Sequence, residues 1–331
     1  MIESELQGIE LTNLKQGLAK FESSSSEYWE FLLMIGFGNY SETDKLFKTL
    51  ISKISDHDWR KPLVDIGQAR YLSISGRSFE CLSILEKAEE RILSRYNFLN
   101  DEIHAEIRSL YYYTRTTFLE KINSNIERTT PQLINARSLT SIESFKLAFD
   151  YRIAHNEVLR RNYPVSHILE SIYALENSKL WILACMGYRA AGIVSRIRND
   201  NEAANTYFEK AMDIANRFDL AINKQHIQMA ITWLLFTEKR YQDAEQLLRE
   251  IKINNEVDPI QSIYFENLSL IARAESNHDQ SISEMKRALE ISIKLDSVNH
   301  VPGECQYLGD MYRNHYHDLD QAEHYYKLGY D

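Results

Sequence analysis

A stripe of small and large residues recurs through the C-terminal half of the chain at a nearly constant interval. In its clearest copy, Gly192 is followed in turn by Ala204, Phe208 and Ala211. The last three positions recur as Ala244, Leu248 and Ile251, as Ser281, Met285 and Ala288, and as Ala322, Tyr326 and Gly329. The copies are therefore spaced almost evenly along the chain. A period of about 34 to 47 residues is typical of stacked helical hairpins, each of which buries its apolar face against the next.

This period predicts an all-α fold, a right-handed superhelical solenoid of degenerate tetratricopeptide-like helical hairpins. An earlier copy of the stripe is predicted at His155, His167, Ser171 and Ala174. Further helices are predicted over Ser41–Ser55, Pro62–Ser75, Ser78–Leu93 and Asp101–Ile126. Pro164, Pro259 and Pro302 fall at predicted junctions between helices, where proline is tolerated. A break is predicted at Arg128–Pro131, which gives three regions: 1–40, 41–130 and 131–331.

Composition narrows the class of protein. The 331 residues are 44% hydrophobic and carry a net charge of −10, which disfavours broad binding of nucleic acid. No run approaches the roughly 18 apolar residues of a membrane helix, and the N-terminus lacks a signal-peptide core. Three widely spaced cysteines predict reduced packing residues, not a disulfide framework. We therefore expect a soluble cytoplasmic protein that has no contact with the membrane.

The sequence predicts neither an enzyme nor a cofactor site. It contains no glycine-rich phosphate loop, no nucleophile elbow and no zinc-binding HExxH helix. The best metal candidate groups His315, His317 and His324 around the turn of the last hairpin. Polar residues are expected at such a turn in any case, so no metal site is predicted there.

The N-terminal region, 1–40, differs from the rest and predicts a partial or degenerate helix-turn-helix. A turn at Gly8 precedes a short helix over about Leu11–Phe21, as in DNA-reading helix pairs. The predicted outward side chains that suit phosphates and base edges are Asn13, Lys15, Gln16 and Lys20. The alternative is a helix pair that only closes the end of the solenoid.

The repeat phase also predicts which side chains line the inner face formed by the first helix of each hairpin. The predicted lining includes Arg152, Asn156, Arg189, Met229, Trp233, Glu266 and Arg273. Arginine binds carboxylates in a two-point geometry, asparagine bonds peptide groups, and aromatic residues anchor apolar side chains. This chemistry favours a groove for a short peptide with a free C-terminus. The alternative is that the arginines pair with acids on neighbouring helices and only hold the hairpins together.

Several stretches resemble one family of peptide sensors. They are GIELTNLKQGLAKFESSSSEYWEF, RIAHNEVLRRN, YALENS, NDNEAANTYFEKAMDIANRF and YQDAEQLLREI. Together they resemble the AimR-type arbitrium peptide receptors of temperate Bacillus phages, within the wider class of tetratricopeptide-repeat quorum-sensing regulators of Gram-positive bacteria. The resemblance implies a homodimeric transcription regulator in the bacterial host cell. A short signalling peptide would change its binding to operator DNA and so control phage lysis and lysogeny.

The resemblance also implies individual contacts. Asn156 and Glu290 stand where the family has peptide-binding residues, and Asp258 matches a further polar contact. Ile182 and Ile193 stand where an arginine and an asparagine would be expected, which implies a different peptide sequence.

The last hairpin of the chain is the predicted contact surface for a second copy of the protein. Its tyrosines are candidates for an uncapped apolar end, which predicts a homodimer through the C-terminal repeats. The alternative is that the final helix of the chain covers this end. A second functional class stays open as well: an interaction scaffold that binds another protein and never binds DNA.

Overall fold

The structure, a computed structural model, describes residues 61–74, 76–94, 101–123, 126–161, 163–251, 259–295 and 300–330, together with residues 48, 52 and 297. Fourteen α-helices, and no strand, occupy these ranges. They are α1 Lys61–Ile74, α2 Ser78–Ser94, α3 Asp101–Asn123, α4 Ile126–Leu139, α5 Glu143–Arg161, α6 Ser166–Asn177, α7 Trp181–Ile197, α8 Asn201–Arg217, α9 Ala221–Thr237, α10 Tyr241–Glu250, α11 Pro259–Ala274, α12 His278–Lys294, α13 Val301–Met311 and α14 Leu319–Tyr330. A π-helical turn, Tyr312–Tyr316, follows α13. The predicted all-α fold of tetratricopeptide-like hairpins is confirmed.

The helices pair along the chain as hairpins, most closely α3 with α4, α7 with α8, α11 with α12 and α13 with α14. The chain divides into two compact units. The first runs to Lys224, and the second comprises Gln225–Asp331 with the short segment Ser75–Ser78. No helix in the described ranges is both long and apolar enough to cross a membrane.

The turns that end these helices share one backbone geometry. Lys179, Asn199, Asp219 and Lys239 are evenly spaced in the sequence, and all have a φ between 51° and 62°. The residue after each donates its amide to a carbonyl five positions back, for example Asp200 to Ser195 at 2.9 Å. This bond satisfies carbonyls that a helix end leaves without partners. A left-handed residue therefore ends each of the four consecutive helices α6 to α9 in the same way.

Contacts between paired helices confirm the predicted phase in three hairpins. Gly192 lies against the buried ring of Phe208, and a Cβ added to it would stand 2.5 Å from that ring. Gly309 lies against Tyr326 in the same way, at 2.4 Å. Ser269 takes the equivalent place on α11 and donates to the Ser281 carbonyl at 2.7 Å. In each case a small residue lets the two helices approach.

The predicted phase is wrong by one residue in the hairpin of α5 and α6. The residues of α6 that are completely buried are Ile168, Ile172 and Leu175, not His167, Ser171 and Ala174. Both sets have the same spacing, and burial of the larger apolar set removes more apolar surface from water. Asn156, the residue after His155, is also buried, with an exposure of 1%.

The predicted break at Arg128–Pro131 is also wrong. These four residues lie inside α4, with Pro131 in its second turn. An interior proline removes one backbone donor and crowds the carbonyl four residues earlier. Close to the start of a helix this loss is confined to a single turn, and α4 continues to Leu139.

The close approach at Gly192 gives a first prediction. Replacing Gly192 with alanine is expected to lower the free energy of unfolding by about 1–3 kcal/mol, because the fully buried Phe208 ring must move. Gly303→Ala is the matched control, since no atom lies within 4 Å of its added Cβ. That change should raise stability by up to about 1 kcal/mol, because alanine is the better helix former. Urea titration of both variants checks the contrast, and equal stabilities would contradict the contact.

Candidate functional site

Helix α7 presents a line of alternating apolar and cationic side chains at helical spacing. Its members, one helical turn apart, are Met186, Arg189, Ile193 and Arg196. Met186 is exposed and the others are half-buried. The opposite side of α7 is fully buried because it holds the residues that contact α6 and α8, among them Ala191 and Val194. The line therefore lies on the accessible side of α7.

Arg189, one of the two cations of this line, has no carboxylate partner among the described residues. Its Nε is buried and has no hydrogen-bond partner, and no described acidic side chain forms an ion pair with it. Its electrostatic neighbours are Tyr151 and Cys185, and burial lowers the pKa of the guanidinium. An unpaired charge in such surroundings costs free energy, which an anion bound there would offset.

Arg152, by contrast, already has a partner. Its guanidinium donates to Glu120 of α3, with the Nε and Oε2 atoms 2.6 Å apart. Asn156 donates its side-chain amide to Oε1 of the same carboxylate, and Thr129 donates to that oxygen at 2.8 Å. Asn156 also lies 3.5 Å from the hydroxyl of Thr130. The side chains of Arg152 and Asn156 thus form hydrogen bonds that bridge α5 to the hairpin of α3 and α4.

The ring of His155 lies between the two arginines. Burial, followed by the positive charges of Arg152 and Arg189, lowers the pKa of His155 to about 3. The imidazole is therefore neutral at physiological pH and does not add to the local charge. Because Glu120 balances Arg152, one net positive charge remains at Arg189.

The predicted residues of the second unit lie in several different settings. Met229 is buried and accepts a hydrogen bond from Asn267 at 3.6 Å. Trp233 is half-buried and packs edge-on against Phe236. Arg273 is exposed and lies over the ring of Tyr307. Met229 is therefore a packing residue between α9 and α11, while Trp233 and Arg273 stay accessible.

The remaining predicted contact residues lie either on the second helix of a hairpin or outside the described part of the chain. Glu290 is on α12, the second helix of its hairpin, where its exposed carboxylate pairs with Lys294 at 2.9 Å. Asp258 lies outside the described residues, and so do the DNA-contacting residues Asn13, Lys15, Gln16 and Lys20. Their proposed roles stay predictions.

Glu266 belongs to a polar cluster that the sequence pattern did not reveal. Its carboxylate oxygen lies 2.8 Å from Nδ1 of His300. Glu304, only 2% exposed, accepts hydrogen bonds from Ser262 and Ser292 at 2.8 Å each on Oε1. Burial, together with the charge of Glu266, raises the pKa of Glu304 to about 7, although the two serine bonds oppose this shift. Within the described ranges, this cluster is where three possible metal-ligating groups come together, and His315, His317 and His324 do not form such a group.

The last hairpin covers much of its own aromatic surface. Tyr325 is buried and stacks on Tyr312 with ring centroids 5.6 Å apart. Tyr326 donates its hydroxyl to Asp310 at 2.7 Å. Leu319 and Tyr330 remain exposed. The apolar surface left to a partner is therefore smaller than the sequence predicts.

Sequence reasoning missed Glu120, His300 and Glu304. Glu120 is 32 residues from Arg152, and Glu304 is 42 residues from Ser262, so no local spacing marks either contact. The sequence offered only a weak indication of these residues: Glu120 lies within a predicted long helix, and Glu304 lies in the first turn of α13.

Comparisons with known proteins show the fold. No protein-family model matches the sequence, and no curated protein sequence matches it. The chain is similar to the crystal structure of a Rap protein complexed with competence and sporulation factor, with a TM-score of 0.61 and 11% identity. That match covers 91% of this chain and 95% of the Rap chain. A weaker similarity to the Cut9–Hcn1 hetero-tetramer of APC/C has a TM-score of 0.42 and 12% identity, covering 96% of this chain and 65% of that one. The chain thus shares the helical-repeat fold of a Rap protein.

Proposed function

We propose that the chain is a regulator that binds a short signalling peptide against the first helix of a hairpin in its first unit, α7. Arg189 would bind the terminal carboxylate, and Met186 and Ile193 would contact apolar side chains of the peptide. The Rap protein that shares this fold is complexed with competence and sporulation factor, which supports a binding role for the fold. The unpaired, partly buried guanidinium of Arg189 is the single observation that carries the proposal.

The chemistry of Arg189 favours a carboxylate over other ligands. A guanidinium forms two parallel hydrogen bonds with a carboxylate, and such bonds are stronger where water is excluded. The Glu120 network holds Arg152 and Asn156 beside this point, so the helix that faces α7 is fixed before a ligand arrives. Fixed donors lose less entropy when the ligand binds.

Retention of peptides from a synthetic library tests the proposal. The full chain is mixed with pooled short peptides that carry free carboxyl termini, and separately with the same pool amidated at that end. Retained peptides are then identified by mass spectrometry. We expect retention from the free-acid pool and little from the amidated pool. Arg189→Ala should abolish retention, whereas Arg217→Ala should not, because Arg217 is exposed on α8 and lies over Trp181. A chain that retains no peptide from either pool would refute the function.

We further propose that the regulator is of the arbitrium type, in which the peptide changes the affinity of a homodimer for operator DNA inside the bacterial host. Its support is the resemblance described above, because Asn13, Lys15, Gln16 and Lys20 lie outside the described residues. A gel shift of the full-length protein with its own upstream DNA, with and without a retained peptide, tests this step. A protein that ignores DNA at low salt but captures a protein partner would be a scaffold instead.

A further inference from the structure

The cluster around Glu304 brings two carboxylates and an imidazole to one point in the second unit. One ligand atom from each of Glu266, His300 and Glu304 lies within 4.8 Å of the others. Two helices supply them: α11 carries Glu266, and the start of α13 carries His300, the residue before the helix, and Glu304, in its first turn. The arrangement belongs to tertiary structure, because Glu266 and His300 are 34 residues apart.

The two oxygens of Glu304 have opposite environments. Oε1 accepts from Ser262 and Ser292 at 2.8 Å each. Oε2 is buried and no described residue donates a hydrogen bond to it, while the carboxylate of Glu266 lies close to Glu304. A buried carboxylate oxygen without a donor is costly, especially close to a second carboxylate. The two serines therefore orient the carboxylate while its other oxygen lacks a partner.

Two carboxylates and an imidazole, with serines that orient one of the carboxylates, are the groups of a typical metal site. One imidazole nitrogen and two carboxylate oxygens are ligands that zinc and its neighbours accept, and water completes the coordination. Outer hydrogen bonds such as those of the two serines fix the angle of a ligating carboxylate. Ligand atoms on a zinc ion stand about 3.4 Å apart, as bond lengths of about 2.1 Å require. Glu266 and His300 are only half-buried, so small side-chain movements can close the cluster around an ion.

We propose that Glu266, His300 and Glu304 bind a divalent transition-metal ion, with zinc as the best match to the ligand set. The ion would replace the hydrogen bond between His300 and Glu266 and would supply the missing partner of Glu304 Oε2. It would fasten α11 to the start of α13 within the second unit. None of the three ligands is on α7, the helix that carries Arg189.

Calorimetric titration of the chelator-treated full chain with Zn²⁺ tests the site. We expect one ion per chain in the wild-type protein. Glu304→Gln and His300→Gln should each weaken binding by more than the roughly 10- to 100-fold that loss of an outer-shell partner costs. His315→Gln is the matched control, because His315 stacks on His278 at the surface and should leave the affinity unchanged.

Visible absorption with Co²⁺ in place of zinc adds a readout that does not depend on stability. The wild-type protein and His315→Gln should show the same ligand-field band, and Glu304→Gln should lose it. Circular dichroism confirms that each variant is folded. If the wild-type protein binds no Zn²⁺, or Glu304→Gln binds it as tightly as the wild type does, the proposal is wrong. A proton shared between the two glutamates would then be the alternative.

Discussion

Replacing Arg152 with alanine is expected to lower the free energy of unfolding by about 3–5 kcal/mol. The loss is large because Glu120, with 3% of its side chain exposed, would keep its charge in the interior without its cation. Thr129 and Asn156 would still donate to the carboxylate, but neither carries a charge. Urea titration of the wild-type protein and the variant measures the difference.

Arg137→Ala is the matched control for this prediction. Arg137 pairs with Asp150 through two bonds, one of them 2.8 Å, but about 40% of each side chain is exposed. Exposed pairs contribute about 1 kcal/mol or less. The double variant Arg152→Met, Glu120→Leu should recover much of the loss, because it removes both buried charges together. If Arg152→Ala were as mild as Arg137→Ala, Glu120 would not depend on its cation, and the bracing role would be wrong.

Replacing Glu304 with glutamine is expected to make the protein more stable at pH 8 and to change little at pH 5. Burial raises the pKa of Glu304 from 4.5 to about 7, whereas in the unfolded chain the group keeps its ordinary value. Between these two values the folded state holds a proton that the unfolded state has lost, so stability falls as the pH rises. The shift corresponds to about 3 kcal/mol above pH 7. Glutamine has no such proton and can donate toward Glu266.

The measurement is urea titration at both pH values in the presence of a chelator. Glu266 and His300 also face this carboxyl group, and the other titrating groups are common to both proteins. The difference between variant and wild type therefore isolates Glu304. Glu290→Gln serves as a control of the same chemistry at an exposed position, where no such difference should appear. An advantage for Glu304→Gln that is equal at pH 5 and pH 8 would contradict the raised pKa.

The helical hairpins could be predicted because they depend on local spacing. Gly192 with Phe208 and Gly309 with Tyr326 pair a small residue with a large one, which lets the two helices of a hairpin approach closely. In the hairpin of α5 and α6, two stripes of identical spacing lie side by side. Spacing alone cannot distinguish His167 from Ile168, whereas burial of the larger apolar set decides between them.

The candidate site could be predicted only in part, for a related reason. The line of α7 that contains Arg189 follows from helix periodicity, and in the structure it lies on an accessible side of that helix. Whether an arginine on such a line is free or paired depends on residues far away in sequence. Glu120 occupies Arg152 from a distance of 32 residues, and no pattern near Arg152 indicates it. No local pattern indicates the contacts of Glu304 with Ser262 and Ser292 either.

A chemical double-mutant cycle on one retained peptide tests the central claim most directly. Dissociation constants are measured for the free-acid and amidated forms with the wild-type protein and with Arg189→Ala. If Arg189 binds the terminal carboxylate, amidation should weaken wild-type binding at least about tenfold, as expected for loss of a charge-assisted hydrogen bond. It should change binding to Arg189→Ala by less than about twofold, because the partner is already gone. Equal losses in both proteins would show that the carboxylate binds elsewhere and would contradict the proposed site.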